Sequence, residues 1–213
     1  MDSIEEYLGR RKSNPKQREF FNERANTWDS HCLHDSGKVR SIVRLLGLTD
    51  GMRVLDVGTG TGVMIPFYCE VADVDITAID YSENMIRVAM GKNPERHGLR
   101  YLVRDLYAID EEEAYDRAVC YSCFPHFPDP VGAISVLSRS LRPGGLLCVA
   151  HSSSKEHINS VHREGGEVIS CDFLPPIELM MEMMEDSGLE RVYQRDDSEF
   201  YIAIARRPAA PPA

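Results

Sequence analysis

The chain has 213 residues, 24 of them basic and 34 acidic, for a formal charge of −10. That length suits one domain with a buried core, and the acidic balance argues against nucleic acid and anionic membrane surfaces, both of which call for a basic face. Hydrophobic residues at 43% and charged residues at 27% match a soluble globular protein, with no apolar run long enough to cross a bilayer.

Asn14 and Pro15 read as a cap and a first-turn proline, opening a helix through about Trp28. Asp35 reads as the cap of a second helix, with Val39, Ile42, Val43 and Leu46 on its apolar face and Gly47 and Gly51 at its exit. From Arg53 onward strands alternate with helices. Residues 54–57 form a short apolar strand, followed by a glycine-rich turn at 58–62 and a helix starting near Val63. Residues 75–80 form the second strand, after which Ser82 caps a helix carrying Met85, Ile86 and Ala89. Residues 101–103 and 117–121 give the third and fourth strands. Asp129 and Pro130 repeat the cap-plus-proline signature before a helix with Ile134, Leu137, Ser138 and Leu141 at helical spacing, and residues 142–145 break it. The fifth strand spans 146–150. Pro175 and Pro176 open a last helix, with Ile177, Met180, Met181 and Met184 on one face and Gly188 at its end. Residues 191–195 and 200–205 read as two closing strands, so close in sequence that they form a hairpin. The alternation predicts an α/β fold: a mostly parallel sheet with helices on both faces and one antiparallel strand. Residues 208–213 read as a loose tail.

Residues 54–62, Val-Leu-Asp-Val-Gly-Thr-Gly-Thr-Gly, carry the most information. Alternating glycines after a strand let the backbone bend sharply and approach a ligand closely. Asp80 ends the second strand, where its carboxylate can accept hydrogen bonds from ribose hydroxyls, and Asp105 follows the third, within reach of an adenine amino group. Asp56 lies at the end of the first strand. Each aspartate alone reads as a turn or cap residue, but three at successive strand ends do not. A dinucleotide site would require a glycine where Val63 stands, and Asp56 would repel its pyrophosphate. A cationic sulfonium with an amino-acid tail fits better.

Residues 54–63 resemble motif I of the class I S-adenosylmethionine-dependent methyltransferases, and Ala78 to Ser82 resemble motif II. Arg104-Asp105-Leu106 is similar to their adenine-contacting segment, Tyr115-Asp116 to Asp129-Pro130 to the fourth-strand motif, and Leu141 to Gly145 to the turn before strand five. The likeness covers about residues 20 to 206 and is nearest the ubiquinone/menaquinone-biosynthesis-like, small-molecule branch. It implies a Rossmann-like, seven-stranded sheet and S-adenosyl-L-methionine as cofactor. By the same likeness Asp56, Gly58, Thr59, Gly60 and Gly62 shape the methionine and sulfonium end, and Asp80 holds the ribose. Tyr81 and Met85 would flank the adenine, Asp105 and Leu106 would meet its edge, and Tyr121 would pass below the sulfonium through backbone contacts. It implies a helical lid over residues 1–50, a cofactor-binding domain over 51–207 with an acceptor-side insert at about 151–175, and the tail at 208–213.

For the acceptor side, Phe21, Ala25 and Trp28 have helical spacing and can either cover the cofactor or anchor the helix. His31, Cys32, His34 and Asp35 gather potential ligands beside them. His126 follows strand four and His151 ends strand five. Ser154 reads as the cap of a helix with Ile158 and Val161 on its apolar side and Lys155, Asn159 and His162 on a face that could close over an acceptor. Two uses stand for the histidines. His126, His151 or His162 can serve as base or acceptor-binding group, or His34, His151 and His162 can bind a transition metal, with Cys32 or Asp35 completing the set. Cys120 and Cys123 read as packing residues on opposite faces of a strand, and the methionine pairs after Pro176 as core. Six cysteines suggest reduced thiols, and residues 1–6 are acidic without an apolar signal core, so the expected location is the cytoplasm. The expected function is methyl transfer to a small molecule, without nucleic acid or membrane insertion. The alternatives are a metal-dependent methyltransferase for thiol or chelating acceptors and a non-catalytic S-adenosylmethionine-binding protein.

Overall fold

The computed structural model describes residues 3–94 and 97–209. The first two residues of the acidic start and positions 210–213 of the expected tail lie outside the described residues. The chain opens with α1 (Ile4–Arg10), set by a reciprocal capping box between Ser3 and Glu6 that the sequence reading had passed over. The next helix starts later than expected, as α2 (Gln17–Arg24), because Asn14 folds back on itself: its side chain accepts from the Lys16 amide and its carbonyl from the Gln17 amide. The continuous helix expected through Trp28 is interrupted. Residues Ala25–Thr27 tighten into a 3-10 turn before the short α3 (Trp28–His31), and the Thr27 hydroxyl donates to the Arg24 carbonyl, competing with the helical ladder. Asp35 caps α4 (Ser36–Leu45) by accepting from the Lys38 amide.

The remaining elements alternate as β1 (Arg53–Val57), α5 (Ile65–Val71), β2 (Asp75–Asp80), α6 (Glu83–Lys92), β3 (Leu99–Val103), β4 (Tyr115–Tyr121), α7 (Pro130–Ser140), β5 (Leu141–His151), α8 (Lys155–Glu164), α9 (Ile177–Asp186), β6 (Glu190–Asp196) and β7 (Tyr201–Arg206). The strands form one sheet in the order β3-β2-β1-β4-β5-β7-β6. All pairs are parallel except those of β7, which runs antiparallel to both β5 and β6. The seven-stranded sheet and the closing hairpin are therefore as expected. Residues 142–145 break the helix as predicted, but inside β5: Tyr115 pairs with Leu141 and Arg117 with Leu146, so the segment between bulges out and pairs its backbone with Arg207.

Alternate residues of each central strand feed two cores. Leu55, Val57, Leu147 and Val149 face α7 and α9, where Met180, Met181, Met183 and Met184 are all buried. Val54, Ile76, Cys148 and Ala150 face α4 and α5. Each fully buried large apolar side chain contributes roughly 1.5–3 kcal/mol, so the sheet is a rigid platform for the loops at its carboxyl edge. The switch in strand order falls between β1 and β4, whose carboxyl ends point to one side. Helix α8 corrects an expectation. Val161 is exposed, and Ile158, Asn159 and His162 turn inward. Asn159 exchanges hydrogen bonds with the Leu174 backbone, and Lys155 reaches Glu156 and Asp196.

Candidate active site

The turn after β1 needs its glycines. Gly58 has φ +60°, and a Cβ there would stand 2.7 Å from the Cβ of Cys123, so only glycine lets the ends of β1 and β4 close together. Gly60 has φ +56°, and a Cβ there would stand in open space. The Gly60 amide donates to Asp80 Oδ2 at 3.0 Å and the Ser82 amide to Asp80 Oδ1 at 2.8 Å. Those two bonds fix a carboxylate that desolvation pushes up to about 6. Asp56 is held the same way, by the hydroxyls of Thr59 at 2.6 Å and Tyr68 at 3.0 Å, and burial also pushes it up to about 6.

A cavity of about 260 Å³ opens over this turn. Gly58, Gly60, Asp80, Tyr81 and Met85 line it, and so do Asp105 and Leu106. Phe21 and Trp28 cover it, packed edge to face at 5.4 Å, which favours the lid reading of α2. Four expected residues do not line it. Asp56 and Thr59 lie beneath the turn, bonded to one another. Gly62 faces Ala89 and Asn93 of α6. Tyr121 points to the other side of the sheet, where its hydroxyl meets His34 Nδ1 at 2.9 Å and the Ser152 hydroxyl at 2.7 Å. Ser122 and Cys123 take its place at the cavity, because Ser122 adopts φ +54° and turns the chain at the strand end. The same turn brings Cys120 and Cys123 into one buried cluster instead of opposite faces, and burial with the adjacent Cys120 raises the Cys123 thiol well above its ordinary value. Both thiols are free.

The three histidines expected as base or acceptor-binding groups separate. His126 lines the cavity. Its Nδ1 lies 2.7 Å from Asp172 Oδ2, which also accepts from Gln17 Nε2 at 2.7 Å, and the Tyr81 hydroxyl donates to Gln17 Oε1 at 3.0 Å. His162 is inside α8, with Nδ1 donating to the Asp172 carbonyl at 2.5 Å. Burial and the neighbouring His126 lower it to about 4. His151 is 1% exposed, neither ring nitrogen has a partner among the described residues, and burial lowers it to about 3. The metal expectation fails on this geometry. His34 is engaged with Tyr121 and His162 with Asp172, and among the described residues no group of three or more His, Cys, Asp or Glu side chains is placed to hold a metal ion. Asp172 and Gln17 escaped the sequence reading. The one signal for them was an acid and an amide in segments already assigned to the insert and the lid.

Residues 55–149 match a family model described as a methyltransferase domain. The matched segment, less than half of the chain, is similar to a methyltransferase domain. The chain is 27% identical over 146 residues to the ubiquinone biosynthesis O-methyltransferase of Leptothrix cholodnii, a match covering 63% of this chain and 62% of that protein. The chain thus aligns with about three fifths of that curated relative. Two of the matching solved structures show the same fold. The N-methyltransferase NodS from Bradyrhizobium japonicum, in complex with S-adenosyl-L-homocysteine, matches with a TM-score of 0.71 at 17% identity, over 91% of this chain and 99% of that one. The 4+2 cyclase SpnF matches with a TM-score of 0.75 at 17% identity, over 93% and 99%. Among the described residues no helix is long and apolar enough to cross a membrane.

Proposed function

We propose that this chain is an S-adenosylmethionine-dependent methyltransferase that methylates an oxygen of a small aromatic acceptor. The observation that carries the reading is the Asp80 carboxylate at the cavity wall: each oxygen already accepts one backbone amide and keeps a lone pair for a ribose hydroxyl. The open space at Gly60 leaves room for a ligand against the turn, and Met85 and Leu106 offer apolar walls for an adenine. These residues fit the cofactor. When bound, it supplies an electrophilic methyl group whose carbon–sulfur bond breaks as the carbon–oxygen bond to the acceptor forms, leaving a neutral thioether. The chain's part is to align the acceptor, exclude water and manage its proton. Phe21, Trp28 and Phe127 give the cavity an aromatic lining suited to a ring. The names of the relatives support oxygen as the methylated atom.

Residues 1–50 act as a lid over a cofactor-binding domain at 51–207, and the segment 151–175 forms the acceptor side. The acidic charge supports a small-molecule partner rather than nucleic acid, and the reduced cysteines support the cytoplasm. Titration calorimetry with S-adenosylhomocysteine tests the site. Asp80→Ala removes two charge-assisted bonds, about 3–6 kcal/mol together, so affinity should fall by about 150-fold or more. Unchanged affinity overturns the assignment. Turnover of S-adenosylmethionine in the presence of small phenols separates an enzyme from a binding protein.

A further inference from the structure

We propose that His126 is the catalytic base of this site, oriented by Asp172, and that the acceptor is an aromatic hydroxyl that arrives with its proton. The inference rests on the methyltransferase reading above and adds the acceptor's ionisation state and the group that takes its proton.

The hydrogen-bond network fixes the tautomer. The Tyr81 hydroxyl meets Gln17 Oε1, so the Gln17 amide turns its Nε2 donor toward Asp172 Oδ2. That oxygen acts as an acceptor, and the His126 Nδ1 beside it at 2.7 Å is therefore the protonated ring nitrogen. Nε2 is left with its lone pair. It makes no hydrogen bond to any described residue, and the side chain lines the cavity at 13% exposure while that of Asp172 is 5% exposed. An imidazole at the cavity wall with a buried carboxylate on its Nδ1 is the arrangement of an oriented base.

The ring cannot swing. Phe21 packs edge-on at 4.9 Å and His162 lies at 4.8 Å. Arg11 donates to the carbonyls of Pro125 and Phe127, pinning the backbone on both sides of His126. The charged and titratable groups around it come from every neighbouring element. They are Asp172 and His162 from the insert, Asp80 and Tyr81 from the end of β2, His151 from β5, and Arg11 directly after α1. Burial keeps His162 and His151 neutral, so neither holds a proton near neutrality in competition with His126.

A phenol with a pKa near 10, like that of tyrosine, is almost wholly protonated at neutral pH and a poor nucleophile. In the proposed step the hydroxyl proton passes to His126 Nε2 as an oxygen electron pair forms the new bond to the methyl carbon. The imidazolium that results is stabilised by Asp172, and the partly exposed ring returns the proton to water. A positioned base of this kind contributes about 10²- to 10⁴-fold. Asp172 is a positioning residue. It holds the tautomer and the charge and does not touch the acceptor.

The test uses the full chain with S-adenosylhomocysteine bound and a nitrophenol as probe. Below the probe's solution pKa, wild type should bind it with the absorption band of the phenolate, and His126→Gln should bind it as the neutral phenol. With S-adenosylmethionine, His126→Gln should lower kcat about 10²- to 10⁴-fold for an unactivated phenol, and by less than about tenfold for one already ionised. Asp172→Asn should move the acid limb of kcat to lower pH with KM within about twofold. Imidazole nitrogen-15 spectra of wild type, which need no variant, should show His126 protonated at Nδ1 and bare at Nε2. An Nε2–H tautomer, a phenolate band unchanged in His126→Gln, an equal loss of kcat for neutral and ionised acceptors, or a nitrophenol that does not bind overturns the proposal. Absence of S-adenosylhomocysteine binding in wild type would instead overturn the methyltransferase reading on which it rests.

Discussion

The two walls of the cavity are built on different principles. The wall from β1 and β2 is local. Asp56 binds Thr59 three residues away, Asp80 binds Ser82 two residues away, and the glycine turn follows directly from a strand end. The opposite wall is assembled from distant segments. Gln17 meets Asp172 across 155 positions and His126 meets Asp172 across 46. The first wall is shaped by backbone geometry that a short motif can encode. The second exists only when lid, strand end and insert have all docked. A substitution in the first should therefore disturb the domain as a whole, and one in the second should loosen the site while the sheet stays intact.

The largest effect is expected from Gly58→Ala. The new Cβ would sit 2.7 Å from Cys123 Cβ and 2.9 Å from its Sγ, on a backbone at φ +60°. The left-handed conformation costs about 1–2 kcal/mol for a residue with a side chain, and the clash adds roughly 1–3 kcal/mol. Denaturant unfolding should show a loss of about 2–5 kcal/mol, with cofactor affinity falling alongside it. A loss below about 1 kcal/mol would mean that the approach of β1 to β4 is looser than this turn implies.

The same contrast explains what the sequence revealed. Strand ends carrying Asp56, Asp80 and Asp105, and caps such as Asp35, Ser82, Asp129 and Ser154, are set by neighbours within a few residues, and they were legible. Which side chain enters the cavity after β4 was not legible, because the positive φ of Ser122, which leaves Tyr121 on the other face and brings Ser122 and Cys123 to the cavity, has no glycine to announce it. Val161 was assigned to the apolar side of α8, but His162 turns inward because the Asp172 carbonyl accepts its Nδ1–H. Of the histidines expected to border one cleft, only His126 lines the cavity, and His34 lies with Tyr121 on the other side of the sheet. Their separate partners, which decide between ligand, base and buried bystander, lie too far along the chain to read.

Gln17→Ala tests the assembled wall directly. It removes the amide that joins α2 to Asp172 and to the Tyr81 hydroxyl. Loss of the bond to a carboxylate costs about 1.5–3 kcal/mol, offset in part by water reaching the cavity rim. The free energy of opening this wall should fall by about 1–2 kcal/mol while global stability changes by less than about 0.5 kcal/mol. Hydrogen exchange should accelerate across residues 17–28 and around Asp172, and protection in β1, β2 and β4 should change little. Uniform acceleration through the sheet would show that the two walls are not energetically separate.

The smallest effect is expected at His151, which neither wall uses. It sits at the end of β5 opposite Tyr201, buried, with both ring nitrogens unpartnered among the described residues, and it stacks edge to face on the Tyr201 ring at 6.3 Å. His151→Phe keeps the ring contact and removes two buried polar atoms, so at pH 7 the variant should match wild type to within about 1 kcal/mol. The pH dependence is more informative. The folded value is lowered from 6.5 to about 3, so between those limits the unfolded chain binds more protons at this position than the folded one. Wild type therefore loses this contribution as the pH falls through that window. His162, lowered to about 4, acts in the same direction. Asp56 and Asp80, raised from 3.8 to about 6, act in the opposite one: the folded state binds the extra protons, and stability falls as the pH rises from about 4 to about 6. The two pairs offset each other in wild type. Removing His151 tips the balance, so the stability of His151→Phe relative to wild type should rise as the pH is lowered from 7 to 5. Denaturant midpoints at the two pH values measure it, and an equal difference at both would mean that His151 is not held neutral by its burial.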